Sequence, residues 1–230
     1  MIKAFLLAIL IPVIQCTSIQ PAMTTSAIEK NQQQSQVVEG LKEALTIGTQ
    51  NSTNQLSAVD GFFANAAIKI LMPPEAVSVE KTLRSVGMGS LVDKTIVSLN
   101  RAAEDATKSA LPIFVDAIKQ MTINDALGIL RGGDFAATDY FKQKTTPALT
   151  AAFSPKIKES LDKVDATKYW SQTFTVYNKF SAKRVNTDLT AYVTQKAIDG
   201  IFYQVALEEQ KIRKDPAARV TDLLRSVFGQ

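Results

Sequence analysis

The sequence predicts an all-α fold, a single-domain bundle of about eight helices around one long central helix. Three observations carry this reading. Apolar residues recur at helical spacing through most of the chain, and no stretch alternates as a half-buried strand would. Proline, glycine and capping residues punctuate the periodic stretches where helices should start and stop. The composition agrees: of 230 residues 46% are hydrophobic, 7% are aromatic and only 10 are glycine, which favours helices over a sandwich.

The chain opens with Met1, Ile2 and Lys3, then an apolar run, FLLAILIPVI, too short to span a bilayer. Small residues Cys16, Thr17 and Ser18 follow. Residues 1–18 therefore read as a secretory signal peptide. Lipidation at Cys16 is the rival processing, although Gln15 stands where a lipobox carries a small residue. Residues 19–36 are polar and glutamine-rich (NQQQSQ) and are expected to form a flexible tether ahead of a helical domain over 37–230. Both routes imply export, to a periplasmic or lipid-anchored location.

Within that domain, residues 37–56 form a helix whose second half is expected to be weakened by Gly48 and a polar run. Residues 59–72 fit either a short helix or an extended apolar clip. Pro73-Pro74 ends that stretch, Pro74 opens a helix to Val86, and Gly87-Met88-Gly89 is a turn. The strongest signal is 91–121, where Leu91, Val92, Ile96, Leu99, Ala102, Ala103, Ala106, Ala110, Ile113, Phe114, Ala117 and Met121 share one face at about 100° per residue. The stripe passes Pro112 in phase, which predicts one kinked central helix.

Thr122 with Asp125 makes a capping box for a short helix. Gly132 and Gly133 are expected to end it with positive φ, and Asp134 to cap the next helix. Thr146-Pro147 and Ser154-Pro155 read as two further helix starts. A helix from Asp165 carries Tyr169, Trp170, Phe174, Tyr177 and Phe180. Asp188 caps a long helix over 189–214, which Asp215-Pro216 terminates, and a last helix covers 217–228.

Several kinds of chemistry are excluded. Histidine is absent and the single cysteine lies in the leader, so no His-based triad, disulfide or thiolate metal site can form in the exported domain. Only oxygen-ligand cations stay open, and no phosphate loop or nucleophile motif calls for a cofactor. The formal charge is +4, unevenly placed. Residues 93–141 hold five basic and seven acidic residues, whereas 142–184 hold nine and three. That second run could face an anionic envelope component or an acidic protein. Export and the lack of interleaved aromatics oppose nucleic acid.

In the 189–214 helix Glu208 falls on the apolar arc of Val193, Ala197, Ile201, Val205 and Ile212. A carboxylate there must be paired or neutral. Arg101, Arg213 and Arg219 are its candidate partners, with Arg219 favoured across the Asp215-Pro216 turn. Glu209 and Arg213 are an i,i+4 pair that needs only be a surface bridge. Asn100 and Glu104 lie one turn apart and could join Glu208 around a ligand, although three oxygens without a loop signature make a weak metal site.

The segments GLKEAL, PPEAV, NRAAEDA from Asn100, MTINDAL from Met121, RGGDFAATDYF from Arg131, DLTAYVTQKAIDGIF from Asp188 and EEQKIRKDPAARVTDLLRSVFG from Glu208 carry a resemblance. Across 37–229 the chain resembles the domain of unknown function 4197 family. The resemblance implies an exported, helical bacterial protein and brings no activity with it. The residues alone favour a non-enzymatic binding or scaffold protein of the envelope. The alternative is a carboxylate-dependent, hydrolase-like enzyme, with glycans as one substrate class, using Glu208 and Glu104.

Overall fold

A computed structural model of the chain describes residues 23–163 and 188–215, with Thr167, Trp170 and Thr175 between them. Two compact units divide the chain, Met1–Gln34 and Ser35–Gln230. The described part of the first is the start of helix α1 (Met23–Ser57), so the stretch expected to be a flexible tether is helical from Met23 onward. The second unit holds the core. After α1 come a 3-10 turn (Pro74–Ala76), α2 (Val77–Ser85), α3 (Gly89–Thr107), α4 (Ala110–Lys119), α5 (Ile123–Arg131), α6 (Ala136–Asp162) and α7 (Leu189–Lys214). The fold is all-α, with no strand among the described residues. Among them, no helix is long and apolar enough to cross a membrane. The expected helix at 217–228 and most of the aromatic helix after Asp165 lie outside the described residues, although Trp170 is described and buried.

The second half of α1 does not weaken. Thr49 and Ser52 donate their hydroxyls to Leu45 O at 2.8 Å and Gly48 O at 2.7 Å. That bonding within the helix is what lets both residues be buried. The central helix is bent, as the alanine-rich stripe implied, but its break falls at Lys108-Ser109 rather than at Pro112. The cause is still the proline. Its ring displaces the carbonyl four residues earlier, which belongs to Lys108, and its nitrogen cannot donate there. Pro112 then sits in the first turn of α4, where a missing N–H costs little.

The largest departure is α6. Both expected starts, at Pro147 and Pro155, lie inside one helix of 27 residues. Both prolines are exposed, and so are Gln143 and Ala151, whose carbonyls they leave free, so water can take those bonds. Apart from Thr138, the buried residues are Ala137, Phe141, Thr145, Leu149, Phe153, Ile157 and Leu161, one every fourth position. Each step of four overshoots a full turn by about 40°. The buried stripe therefore winds around α6, which packs against α3, α4, α5 and α7. No single face is apolar over the whole length, so the stretch looks like several short helices. Near its start, Phe114 of α4 meets Phe141 of α6 edge-on at 5.3 Å and Phe202 of α7 at 6.2 Å, tying three helices together.

The turn between α5 and α6 also differs from expectation. The Thr122–Asp125 capping box is present, with Asp125 N donating to Thr122 Oγ1 at 3.1 Å and Thr122 N to the Asp125 carboxylate at 3.0 Å. Gly132, however, ends α5 with φ −75° and ψ 175°, an extended conformation open to any residue. Glycine is needed there for space. A Cβ would stand 2.5 Å from Ala136 Cβ and 2.9 Å from Gly128 O. Among described glycines only Gly87 takes positive φ, in the expected α2–α3 turn. Asp134 does not cap α6 but pairs with Lys214 at 2.7 Å, while Asp188 caps α7 as expected, accepting from Ala191 N at 2.9 Å.

Gly200 on α7 sits against the fully buried Phe62, and an added Cβ would meet the ring at 2.5 Å. Gly200→Ala should lower stability by about 1–3 kcal/mol, read as a drop in melting temperature. Gly128→Ala, with nothing within 4 Å of the new methyl in helix α5, should instead raise stability by about 0.5–1 kcal/mol.

Candidate functional site

The described residues among those singled out from the sequence, Asn100, Arg101, Glu104, Glu208 and Arg213, fall into separate clusters, and each side chain has a structural partner. Asn100 and Glu104 line the face of α3 that meets the irregular segment 58–73. That segment has no helical ladder for its backbone groups, so α3 supplies the partners. Asn100 accepts from Ile70 N at 2.9 Å and donates to Ile70 O at 2.8 Å, gripping one residue from both sides. Glu104 Oε1 accepts from Phe62 N at 3.1 Å and Phe63 N at 3.2 Å. Its Oε2 accepts from Arg101 at 2.6 Å, and Arg101 also pairs with Asp60 at 2.6 Å. Hydrogen bonds to Glu104, then to Asp60, raise the Arg101 pKa above its ordinary value. The segment is thus the apolar clip, not the helix, of the two forms the sequence allowed.

Glu208 is buried, as its place on the arc required, at 6% exposure. Its described partners are Lys211, through a short ion pair, and Asn51 of α1, whose Nδ2 donates at 3.3 Å. The favoured partner, Arg219, and the possible lipidation site, Cys16, both lie outside the described residues.

Glu209 and Arg213 are far from a mere surface bridge. Glu209 is 7% exposed and reaches across to the start of α6. Its two oxygens accept from Ala137 N and Thr138 N, both at 2.9 Å, and from Thr138 Oγ1 at 2.8 Å. A helix N-terminus has free N–H groups and a partial positive charge, and α6 has no local side-chain cap. Arg213 bonds Glu209 Oε1 from both Nε (2.9 Å) and Nη2 (2.8 Å), and from Nη2 also bonds Ile129 O near the end of α5 at 2.9 Å. One buried ion pair therefore serves the end of one helix and the start of the next. The sequence carried only the i,i+4 spacing. Its remote role had no local signal.

These placements leave little for acid–base work. Both oxygens of Glu104 are engaged, Glu208 is bonded to α1, and neither residue lines the grooves described next. Among the described residues no three carboxylates or cysteines gather as a metal group would need.

The open surface lies elsewhere, along the exposed face of α7. A groove of about 600 Å³ runs between α6 and α7, lined by Phe135, Asp139, Lys142, Gln195, Asp199 and Tyr203 among others. On the other flank of α7 a second groove, about 520 Å³, is bounded by segment 67–72 and by Tyr192, Lys196, Asp199 and Tyr203. A smaller hollow of about 250 Å³ continues it past Tyr192 and Gln195 to Pro73, Glu75 and Trp170. Asp199 and Tyr203 form the ridge shared by the two large grooves. Phe135 and Tyr203 are 46% and 43% exposed, which is unusual for rings of that size. Tyr192 is anchored by its hydroxyl, donated to Leu71 O at 3.2 Å. Its pKa is raised, first by burial and then by the negative charge of Glu75. Of the ring residues here only Trp170 was singled out from the sequence, within the aromatic stripe after Asp165; Phe135, Tyr192 and Tyr203 carried no signal there.

Three of the five described lysines of the basic run form ion pairs along α6 and the residue after it. Lys142 lies 3.8 Å from Asp139, Lys163 2.9 Å from Glu159, and Lys158 pairs with Asp162. Lys168, Lys179, Lys183 and Arg184 lie outside the described residues.

Fold and surface together define an all-α protein with grooves along one exposed helix. The chain belongs to the domain of unknown function 4197 family, whose model, described as a protein of unknown function, matches residues 31–229. No curated protein and no solved structure matches it.

Replacing Glu209 by alanine would remove the carboxylate that Arg213 bonds twice and leave three donors at the start of α6 without their acceptor. It should cost about 3–5 kcal/mol, with faster hydrogen exchange at Ala137 and Thr138 in any folded fraction. Glu209→Gln, which keeps the acceptor and loses the charge, should fall between. Asn100→Ala should cost about 2–4 kcal/mol, because it leaves buried Ile70 N–H and C=O without partners. Denaturant titration measures both, and an Asn100→Ala variant as stable as the parent would show that water replaces the amide.

Proposed function

We propose that this is a non-enzymatic binding or scaffold protein of the cell envelope that engages its ligand through the exposed face of α7. The observation that carries the reading is the pair of ring-lined grooves meeting at Asp199 and Tyr203. Ligand sites are concave and mostly apolar, with a few polar groups that fix orientation. This face has that make-up, while the buried carboxylates are taken up in holding the fold. The envelope location rests on the leader-like residues 1–18.

Sedimentation with isolated envelope fragments tests this. The full chain should co-sediment, and Tyr203→Ala should reduce the bound fraction severalfold at unchanged melting temperature. Lys119→Ala, on α4 and outside the grooves, should have no effect. Equal loss in both variants, or none in either, would remove α7 as the binding face. Fractionation that finds an uncleaved chain in the cytoplasm would remove the envelope.

A further inference from the structure

Three features of the α7 grooves go beyond a generic binding face, and the inference drawn from them rests on the reading just given. The first is extent. The lining runs along α7 from Ala191 to Ala206, about 22 Å of helix at the usual rise. That suits an extended ligand better than a compact one. The second is charge. Across the three hollows the ionic residues are Asp139, Asp199 and Glu75 against Lys142, Lys196 and Lys69. Three acids face three bases, and they are interspersed. Lys142 stands 3.8 Å from Asp139, Lys196 lies 5.9 Å from the Tyr192 ring, and Lys69 sits over Phe63 at 3.8 Å. A polyanion would meet the three carboxylates and a polycation the three ammonium groups, so neither is favoured over an uncharged chain. The third is the mix of surfaces. Exposed rings (Phe135, Tyr203) and the half-buried Tyr192 alternate with short polar groups (Gln195, Asp199, Thr146).

We propose that the α7 grooves bind an uncharged glycan strand. A sugar ring presents C–H groups on its faces, which stack on the electron-rich face of an aromatic ring. Its rim of hydroxyls takes both donors and acceptors, which Gln195, Asp199, Lys142 and Lys196 supply. The charge complementarity is that of a neutral wall to a neutral polymer. A peptide fits less well. Among the described residues there is no free strand edge for it to extend. The charged Asp199 and Lys196 side chains also interrupt any continuous apolar trough for a helix in the second groove.

The chain has one tryptophan, Trp170, and it lines the hollow beside Tyr192, so its fluorescence can report occupancy. The test titrates the full chain with cellotetraose and tetra-N-acetylchitotetraose as neutral probes. Chitotetraose without its acetyl groups, as the cationic counterpart, and sulfated cellotetraose, as the anionic one, are titrated at low and high salt. The expected result is saturable binding of at least one neutral probe, insensitive to salt. Tyr203→Ala should weaken it about tenfold or more, and Tyr203→Phe, which keeps the ring, by no more than about twofold. Binding of only the charged probes, with steep salt dependence, would overturn the proposal. So would neutral binding that Tyr203→Ala leaves unchanged, or no binding of either neutral probe. Envelope co-sedimentation that depends on Tyr203 while both neutral probes fail would refute the glycan and leave the binding face standing. Neutral probes that bind a chain failing to co-sediment would do the reverse.

Discussion

Much of this fold hangs on one carboxylate. Glu209 takes the first N–H groups of α6, and Arg213 holds Glu209 while reaching the last turn of α5. A glycine turn alone would let the two helices splay. The ion pair sets their join against α7 and leaves no charge without a partner in a buried place. Burying such a pair is costly unless every oxygen and N–H near it is used. Here the carboxylate accepts five hydrogen bonds, two from the arginine and three from the start of α6. The charged acceptor also meets the positive end of the helix it caps, which strengthens each bond.

The same logic recurs on α3. A helix satisfies its own backbone, but segment 58–73 does not, and it passes over buried apolar residues where water is excluded. Asn100 and Glu104 therefore do for this segment what Glu209 does for α6. These three buried side chains lie where backbone would otherwise go unpaired. That explains why residues that look like a catalytic set in the sequence turn out to be spread over distinct structural duties.

Helix α7 joins this interior to the two largest grooves described above. Its inner face is packed by Val193, Ala197, Ile201 and Val205, which fixes the helix rigidly against α6 and α3. Its outer face presents Tyr192, Asp199 and Tyr203 on that firm support.

The sequence by itself determined what depends on near neighbours. The Thr122–Asp125 box, the Asp188 cap, the turn at Gly87 and the burial of Glu208 all follow from residues within one or two turns, where spacing alone decides geometry. The all-α class and the family follow from patterns of the same kind. Tertiary structure decided what depends on residues far apart in the chain. The length of α6 was hidden because its buried stripe winds about 40° per step, so each part faces a different neighbour and no single face stands out. The prolines at 147 and 155 look like helix starts until packing puts them on the solvent side. Glu209 could be recognised as a cap only once α6, some seventy residues earlier in the chain, lay beside it. The open face of α7 was illegible for the same reason. Whether a ring at helical spacing is core or surface is settled by what packs over it, and in this stretch the neighbouring helix covers one side only.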